Sequence, residues 1–298
     1  CEDERPAPSV APCETRAYLP NSQFALPGSL SGTMFNLAKL FGRRGEPTRR
    51  PSVPDGERYY VIGDIHGRCD LLDQLIEAIE RDDAASGAAD STVILLGDLI
   101  DRGPESARVV ETARKWGKRR RVHCIAGNHE EMFLESFTDR EMLRHFLKHG
   151  GRETILSYGI SKSEYNDLEV DQLRKRLHTL VPKKHRDFLA SFEEIIVAGD
   201  YAFVHAGVNP KQALDDQKRK DLLWIRERFL AHGEPFEKVI VHGHTIFEDV
   251  EQRPNRIGID TGAFRYGRLT ALVLDGETRR YIQAVDRDGD IAIEQWDD

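Results

Sequence analysis

From residue 57 onward, short apolar runs alternate with stretches in which apolar residues recur at helical spacing. YYVI (59–62) is a strand candidate that runs into Gly63. Beyond it Leu71, Leu72, Leu75, Ile76 and Ile79 repeat at intervals of three and four, which predicts a helix with one apolar face. Asp70 is in position to cap that helix. TVILL (92–96) is a continuous apolar run, as expected of a buried strand. Residues 105–116 are helical in pattern, with Val109, Val110 and Ala113 inward, and VHCIA (122–126) is a third strand. The first half therefore reads β-α-β-α-β. Residues 130–192 are helical and highly charged, suited to cover a sheet. Strand patterns return at YAFV (201–204), VIVH (239–242), 257–259 and LTALVL (269–274). Residues 281–296 predict one or two further antiparallel strands, and no internal repeat is visible.

Residues 1–56 break this pattern. They are rich in Pro, Ser, Gly and Arg, and GRRGEPTRRPSVPDGE (42–57) reads as a linker. The segment is expected to be an extension, mostly disordered, with a short helix at MFNLAKLF (34–41). Met34 is a candidate native start, which would leave 1–33 outside the natural protein. Residues 57–298 are expected to form the catalytic domain.

Composition narrows the class. With 39% hydrophobic and 32% charged residues, the chain is an ordinary globular one. No apolar run approaches the ~20 residues of a membrane span, and the first residues lack the apolar core of a secretory signal. A net charge of −8 argues against a nucleic-acid binder. The run KRRR (118–121) reads as a solvated loop. Cys1, Cys13, Cys69 and Cys124 include no C-x-x-C pair, so a zinc ribbon is not expected. Reduced thiols and a cytoplasmic setting are the simpler reading. Nothing in the pattern indicates an oligomer interface.

The chemistry lies at the ends of the apolar runs. GDIHG (63–67), GDLIDRG (97–103) and GNHE (127–130) each stand at the end of a predicted strand, where open α/β sheets place their ligands. Alone, a Gly-Asp after an apolar run usually starts a turn or caps a helix. In series, the motifs assemble a ligand set. Asp64 and His66, one residue apart on a loop, can face one ion. Asp98 can bridge two ions, and Asn128 offers a neutral carbonyl oxygen. His205 and His244 arrive from the second half. Carboxylate, imidazole and amide together suit Mn, Fe or Zn rather than calcium. His242 sits two residues from His244, and packing is the simpler role for it.

These motifs, in this order and followed by HAG (205–207) and GHT (243–245), resemble the phosphoprotein phosphatase family of metal-dependent phosphatases. LLWIRERF (222–229) and IDTGA (259–263) look like its compact bacterial and phage members. The resemblance implies a calcineurin-like metallophosphoesterase sandwich: α/β, with two mixed β-sheets flanked by helices. It implies a pair of divalent ions, one held by Asp64, His66 and Asp98, the other by Asp98, Asn128, His205 and His244. It further implies that His129, oriented by Asp101, protonates the leaving group. Arg102 and Arg226, with Asn128, would bind the phosphate. Arg228 competes with Arg226, and Glu130 would support its loop.

No covalent nucleophile is needed, and neither Cys69 nor Cys124 stands in a C-x-x-x-x-x-R cradle. The expected activity is that of a serine/threonine protein phosphatase, extending to tyrosine, acting on a phosphoprotein or phosphopeptide. Symmetrical dinucleoside tetraphosphate hydrolases share the fold but tend to lack the Asp of DRG and to read GNHD. This chain has Asp101 and Glu130. A broad small-molecule phosphatase is a further candidate. A non-catalytic relative would need a lost ligand, acid or phosphate arginine, and none is missing.

Overall fold

The computed structural model describes residues 50–298; the expected helix at 34–41 and the candidate start at Met34 lie outside them. The first half forms β1 (Glu57–Ile62), α1 (Cys69–Ala85), β2 (Asp90–Leu95), α2 (Ser106–Trp116) and β3 (Val122–Cys124). A helical stretch comes next. It comprises α3 (Asn128–Glu135), α4 (Arg140–Phe146), a π-helical turn (Leu147–Gly151), α5 (Arg152–Ser157), α6 (Lys162–Asp167), α7 (Val170–Leu180) and α8 (Lys183–Ala190). Then come β4 (Ile195–Ala198), β5 (Tyr201–Val204), α9 (Arg219–Trp224), α10 (Glu227–Leu230), β6 (Val239–His242), β7 (Glu251–Gln252) and β8 (Arg256–Gly258). The chain closes with α11 (Ala263–Tyr266), β9 (Arg268–Asp275), β10 (Thr278–Arg287) and β11 (Asp290–Asp297).

The strands form two mixed sheets. One is six-stranded, in the order β11-β10-β9-β1-β2-β3, and the other five-stranded, in the order β4-β5-β6-β8-β7. β1, β2 and β3 run parallel, while β9 lies antiparallel to β1 and brings the C-terminal strands into the first sheet. The continuous apolar runs are explained by burial on both faces. Along β1, Tyr60 and Ile62 face Leu71, Leu72, Leu75 and Val109 of the covering helices. Val61 points the other way, into a layer with Ile94, Leu96, Phe203, Val241 and Ile257 between the sheets. Beyond the second sheet Val204 and Ile240 pack on Leu222, Leu223 and Phe229. The result is a helix–sheet–sheet–helix stack.

Two local expectations are corrected, and two strands were not predicted. Asp70 does not cap α1: Arg68 occupies the cap position, and Asp70 lies in the first turn, bridged to the Arg68 guanidinium at 2.6 Å. β4 and β7 were not legible, being short and pairing at or near the rim of the second sheet. The packed fold also begins ahead of Glu57. Val53 is buried, its N–H donates to Gly276 O at 3.1 Å, and the Tyr201 hydroxyl donates to Pro51 O at 3.1 Å. Contacts of this kind come from residues far along the chain, so the local Pro-rich composition cannot reveal them. Cys69 and Cys124 are buried free thiols. Among the described residues no helix is long and apolar enough to cross a membrane.

Candidate metal centre

Three of the motifs, GDIHG, GDLIDRG and GHT, leave their strands through backbone turns that side chains rarely adopt. Among the described residues, non-glycine positions with φ in the left-handed region are His66, Asp98, Asp101, Arg102, His244 and Asp288. All but Asp288 belong to the predicted site. Such a conformation costs about 1–3 kcal/mol and persists where the surroundings over-determine it. Here the loops are stitched together. His66 N–H donates to Asp98 O (2.9 Å), Gly67 N–H to Leu99 O (2.9 Å), and Gly103 N–H to His66 O (3.0 Å). The Glu130 carboxylate accepts from the N–H groups of Asp98 (2.8 Å), Leu99 (2.8 Å) and Gly127 (3.1 Å). Glu130 therefore supports the loop, as expected. Two glycines admit the carboxylates: a Cβ on Gly127 would lie 2.2 Å from Asp98 Oδ1, and one on Gly243 2.1 Å from Asp64 Oδ1.

Asp98 is the centre of the arrangement. It belongs to two groups of ligand atoms, each gathered within 4.8 Å: His66, Asp98 and His129, and Asp98, His205 and His244. Its oxygens lie 3.6 Å from His66 Nε2 and 3.4 Å from His205 Nε2. Burial alone would raise the Asp98 pKa, but His205, His129, His66 and His244 hold it well below the usual carboxylate range. His66 Nδ1 lies 2.8 Å from Ile100 O, and His205 Nδ1 2.7 Å from Leu96 O. Those carbonyls fix the Nδ1–H tautomer and leave each Nε2 lone pair to face the centre. Burial depresses the pKa of His66, His205 and His244, which favours the neutral form a metal ligand needs.

Asn128 Oδ1 lies 2.9 Å from His205 Nε2, and the Asp64 carboxylate accepts from His244 N–H at 3.0 Å. His244 Nε2 is buried without a hydrogen-bond partner. An orphaned imidazole nitrogen beside a crowd of carboxylates is what a cation site needs, and this donor set fits divalent transition metals.

The residues expected to handle the proton and the phosphate stand beside this centre. His129 Nδ1 lies 2.6 Å from Asp101 Oδ2, and its other nitrogen faces Asp98 at 3.8 Å. Burial opposes the charged imidazole, but Asp98 and Asp101 outweigh it and raise the His129 pKa. Thr154 donates to Asp101 Oδ1 at 2.5 Å and accepts from Asp101 N–H at 2.8 Å. Arg102 reaches His66 Nε2 (2.6 Å) and His129 Nε2 (3.1 Å) and lies over the Phe264 ring at 4.5 Å.

Arg226 is exposed and reaches toward Thr245 Oγ1 at 3.5 Å, with a charge felt by His205 and His244. Arg228 is instead paired with Asp221 at 2.8 Å. His242 is a packing residue: fully buried, its ring lies edge-on to Phe229 at 4.9 Å.

Sequence reasoning overlooked Thr154, Phe264 and Asp260. Thr154 gives no signal, being one Thr in a charged helical stretch. Asp260 stands in IDTGA, a segment that carried resemblance but no assigned role.

Comparison with known proteins gives the family and the fold. The calcineurin-like phosphoesterase family profile matches residues 57–266. The asymmetrical bis(5'-nucleosyl)-tetraphosphatase PrpE of Anoxybacillus flavithermus is 26% identical over 233 residues, covering 72% of this chain and 89% of the relative. Serine/threonine-protein phosphatase 2 of Escherichia coli is 26% identical over 220 residues, covering 71% and 90%. A crystal structure of a protein provisionally named a diadenosine tetraphosphatase shares the fold, with a TM-score of 0.52 at 20% identity, covering 83% of this chain and 99% of that one.

Proposed function

Because the chain belongs to the calcineurin-like phosphoesterase family, we propose that it is a metal-dependent phosphomonoesterase whose substrates lose an alcohol. Phosphoserine and phosphothreonine of a phosphoprotein or phosphopeptide come first, with phosphotyrosine also accepted. The observation that carries this reading is the buried Asp101–His129 contact at 2.6 Å, with His129 biased toward its protonated form. A serine or threonine alkoxide is a poor leaving group and needs a proton as its bond to phosphorus breaks. A nucleotide departing from a polyphosphate is a far weaker base and gains little from an acid.

In this reading Asp64, His66 and Asp98 hold one divalent ion, and Asp98, Asn128, His205 and His244 hold the second, with Mn first and Fe or Zn acceptable. When bound, such a pair supplies Lewis acidity to the phosphoryl group and acidifies water. The chain does the rest. Arg102 takes phosphate oxygens through its planar fork, and the Phe264 ring beneath holds it in place. Arg226 closes on the phosphate from the other side. Asp101 keeps the His129 ring turned and charged until its Nε2 proton passes to the leaving oxygen. The proposed setting is the cytoplasm.

The same donors can also serve dinucleoside tetraphosphate hydrolysis. That second reading is favoured by the name of the A. flavithermus relative. Parallel assays of the Mn²⁺-loaded protein on a phosphothreonine peptide and on diadenosine tetraphosphate separate the two. The first reading expects the higher kcat/KM on the peptide; rapid cleavage of only the dinucleotide contradicts it.

A further inference from the structure

One buried carboxylate near the centre belongs to neither ion's ligand set nor the acid pair. Asp260 lies just beyond β8 and is 2% exposed. Its backbone is pinned: Phe247 N–H donates to Asp260 O at 3.0 Å, and Ile259 N–H donates to His242 O at 3.0 Å. The chain at this point presses on the exit of β1, since a Cβ on Gly63 would lie 2.4 Å from Ile259 O. Asp64 is the next residue. Asp260 Oδ1 accepts from Gly262 N–H at 3.1 Å, whereas the buried Oδ2 receives no hydrogen bond from an N–H or hydroxyl, and the carboxyl within hydrogen-bond reach is that of Asp64.

The setting is crowded with like charge. The Asp64 carboxyl stands against that of Asp260, and Asp98 bears on both. Arg102 is the guanidinium that acts on both, but its nitrogens contact His66 and His129 instead. A buried carboxylate without a partner is unfavourable, and two together are more so. The Oδ2 without a donor and the uncompensated pair both call for a cation.

We infer that Asp260 is a further carboxylate of the metal centre, giving its charge and its Oδ2 to the cation on the Asp64 side. The inference rests on the dimetal reading of the site. It adds a position outside the ligand set that the motifs supply.

Asp260→Asn is the decisive variant, because its side-chain oxygen still accepts from Gly262 N–H while the charge is gone. Mn²⁺ binding to the chelator-stripped full chain is measured by calorimetry, and thermal unfolding is followed with and without Mn²⁺. One of the two Mn²⁺ sites is expected to weaken at least about tenfold, the scale of outer-shell effects on metal affinity. The metal-free variant is expected to melt at the wild-type temperature or above it, because repulsion with Asp64 is relieved. Asp260→Ser, uncharged and smaller, is expected to show the same Mn²⁺ loss and decides the matter if the Asn variant does not fold. Wild-type Mn²⁺ affinity at both sites, with or without a lowered metal-free melting temperature, overturns the inference and leaves the dimetal reading standing. A wild-type chain that binds no Mn²⁺ overturns that reading and the inference with it.

Discussion

At the scale of single residues, the site depends on atoms that sequence spacing cannot locate. Thr154 lies more than fifty positions from Asp101, yet it touches both its carboxylate and its N–H. Thr154→Val keeps the shape and removes both bonds, one of them to a charged group and worth about 1.5–3 kcal/mol. The expected outcome is a fall in kcat of about tenfold or more, with Mn²⁺ affinity unchanged. Unaltered steady-state kinetics would remove Thr154 from the acid pair's support. The two arginines of LLWIRERF divide similarly. Arg226→Ala is expected to raise KM for a phosphopeptide several-fold, while Arg228→Ala, which frees only the half-buried Asp221, leaves KM near wild type. The reverse result in paired kinetics would exchange their roles. The motif residues were legible because each comes directly after an apolar run. Thr154 and Phe264 were not, because tertiary packing alone brings them to the centre; Asp260 also follows an apolar run, at 257–259, and carried the same signal.

Among the elements, the π-helical turn at Leu147–Gly151 shows why local pattern falls short. Gly150 has φ of 103° and lends its carbonyl to Arg102 N–H at 3.1 Å, and a Cβ there would lie 2.8 Å from Arg102 Cγ. Helical periodicity gave the stretch as helix and could not show that its break seats Arg102. Gly150→Ala is expected to cost about 1–3 kcal/mol of stability from the strained backbone and to lower activity through Arg102. Denaturant unfolding with a parallel activity assay checks both, and a variant with wild-type stability contradicts a strained backbone at Gly150. The apolar strands β1, β2, β5, β6 and β9 were legible because both faces are buried. β4 and β7 were not: β4 is no shorter than β5 but has a single buried residue, and β7 has only two residues. The Asp70 cap failed for a related reason: Arg68 draws that carboxylate away from the helix end.

Across the whole molecule, one sheet built from the two ends of the described chain and a second built from its middle bring five strand exits to one place. The layer beyond the second sheet also buries a titratable group, with consequences for stability. His242 is fully buried and its pKa is pushed down to about 4, by burial first. An unfolded chain takes up that proton near pH 6.5, and the folded chain refuses it until about pH 4. Stability from this group is therefore complete above pH 6.5 and lost as pH falls toward 4, by about 3 kcal/mol at most. His242→Phe, in chelator, is expected to flatten the acid limb of the unfolding free energy between pH 6.5 and 4. An unchanged slope would show that His242 does not titrate there. The central claim is that His129 protonates a poor leaving group, and leaving-group dependence tests it most directly. We would measure kcat/KM for an alkyl and an activated aryl phosphate in wild-type and His129→Asn proteins, both loaded with Mn²⁺. An acid role for His129 predicts a loss of about 10²–10⁴-fold on the alkyl ester and a much smaller loss on the aryl ester; equal losses on both, or none on the alkyl ester, would contradict it.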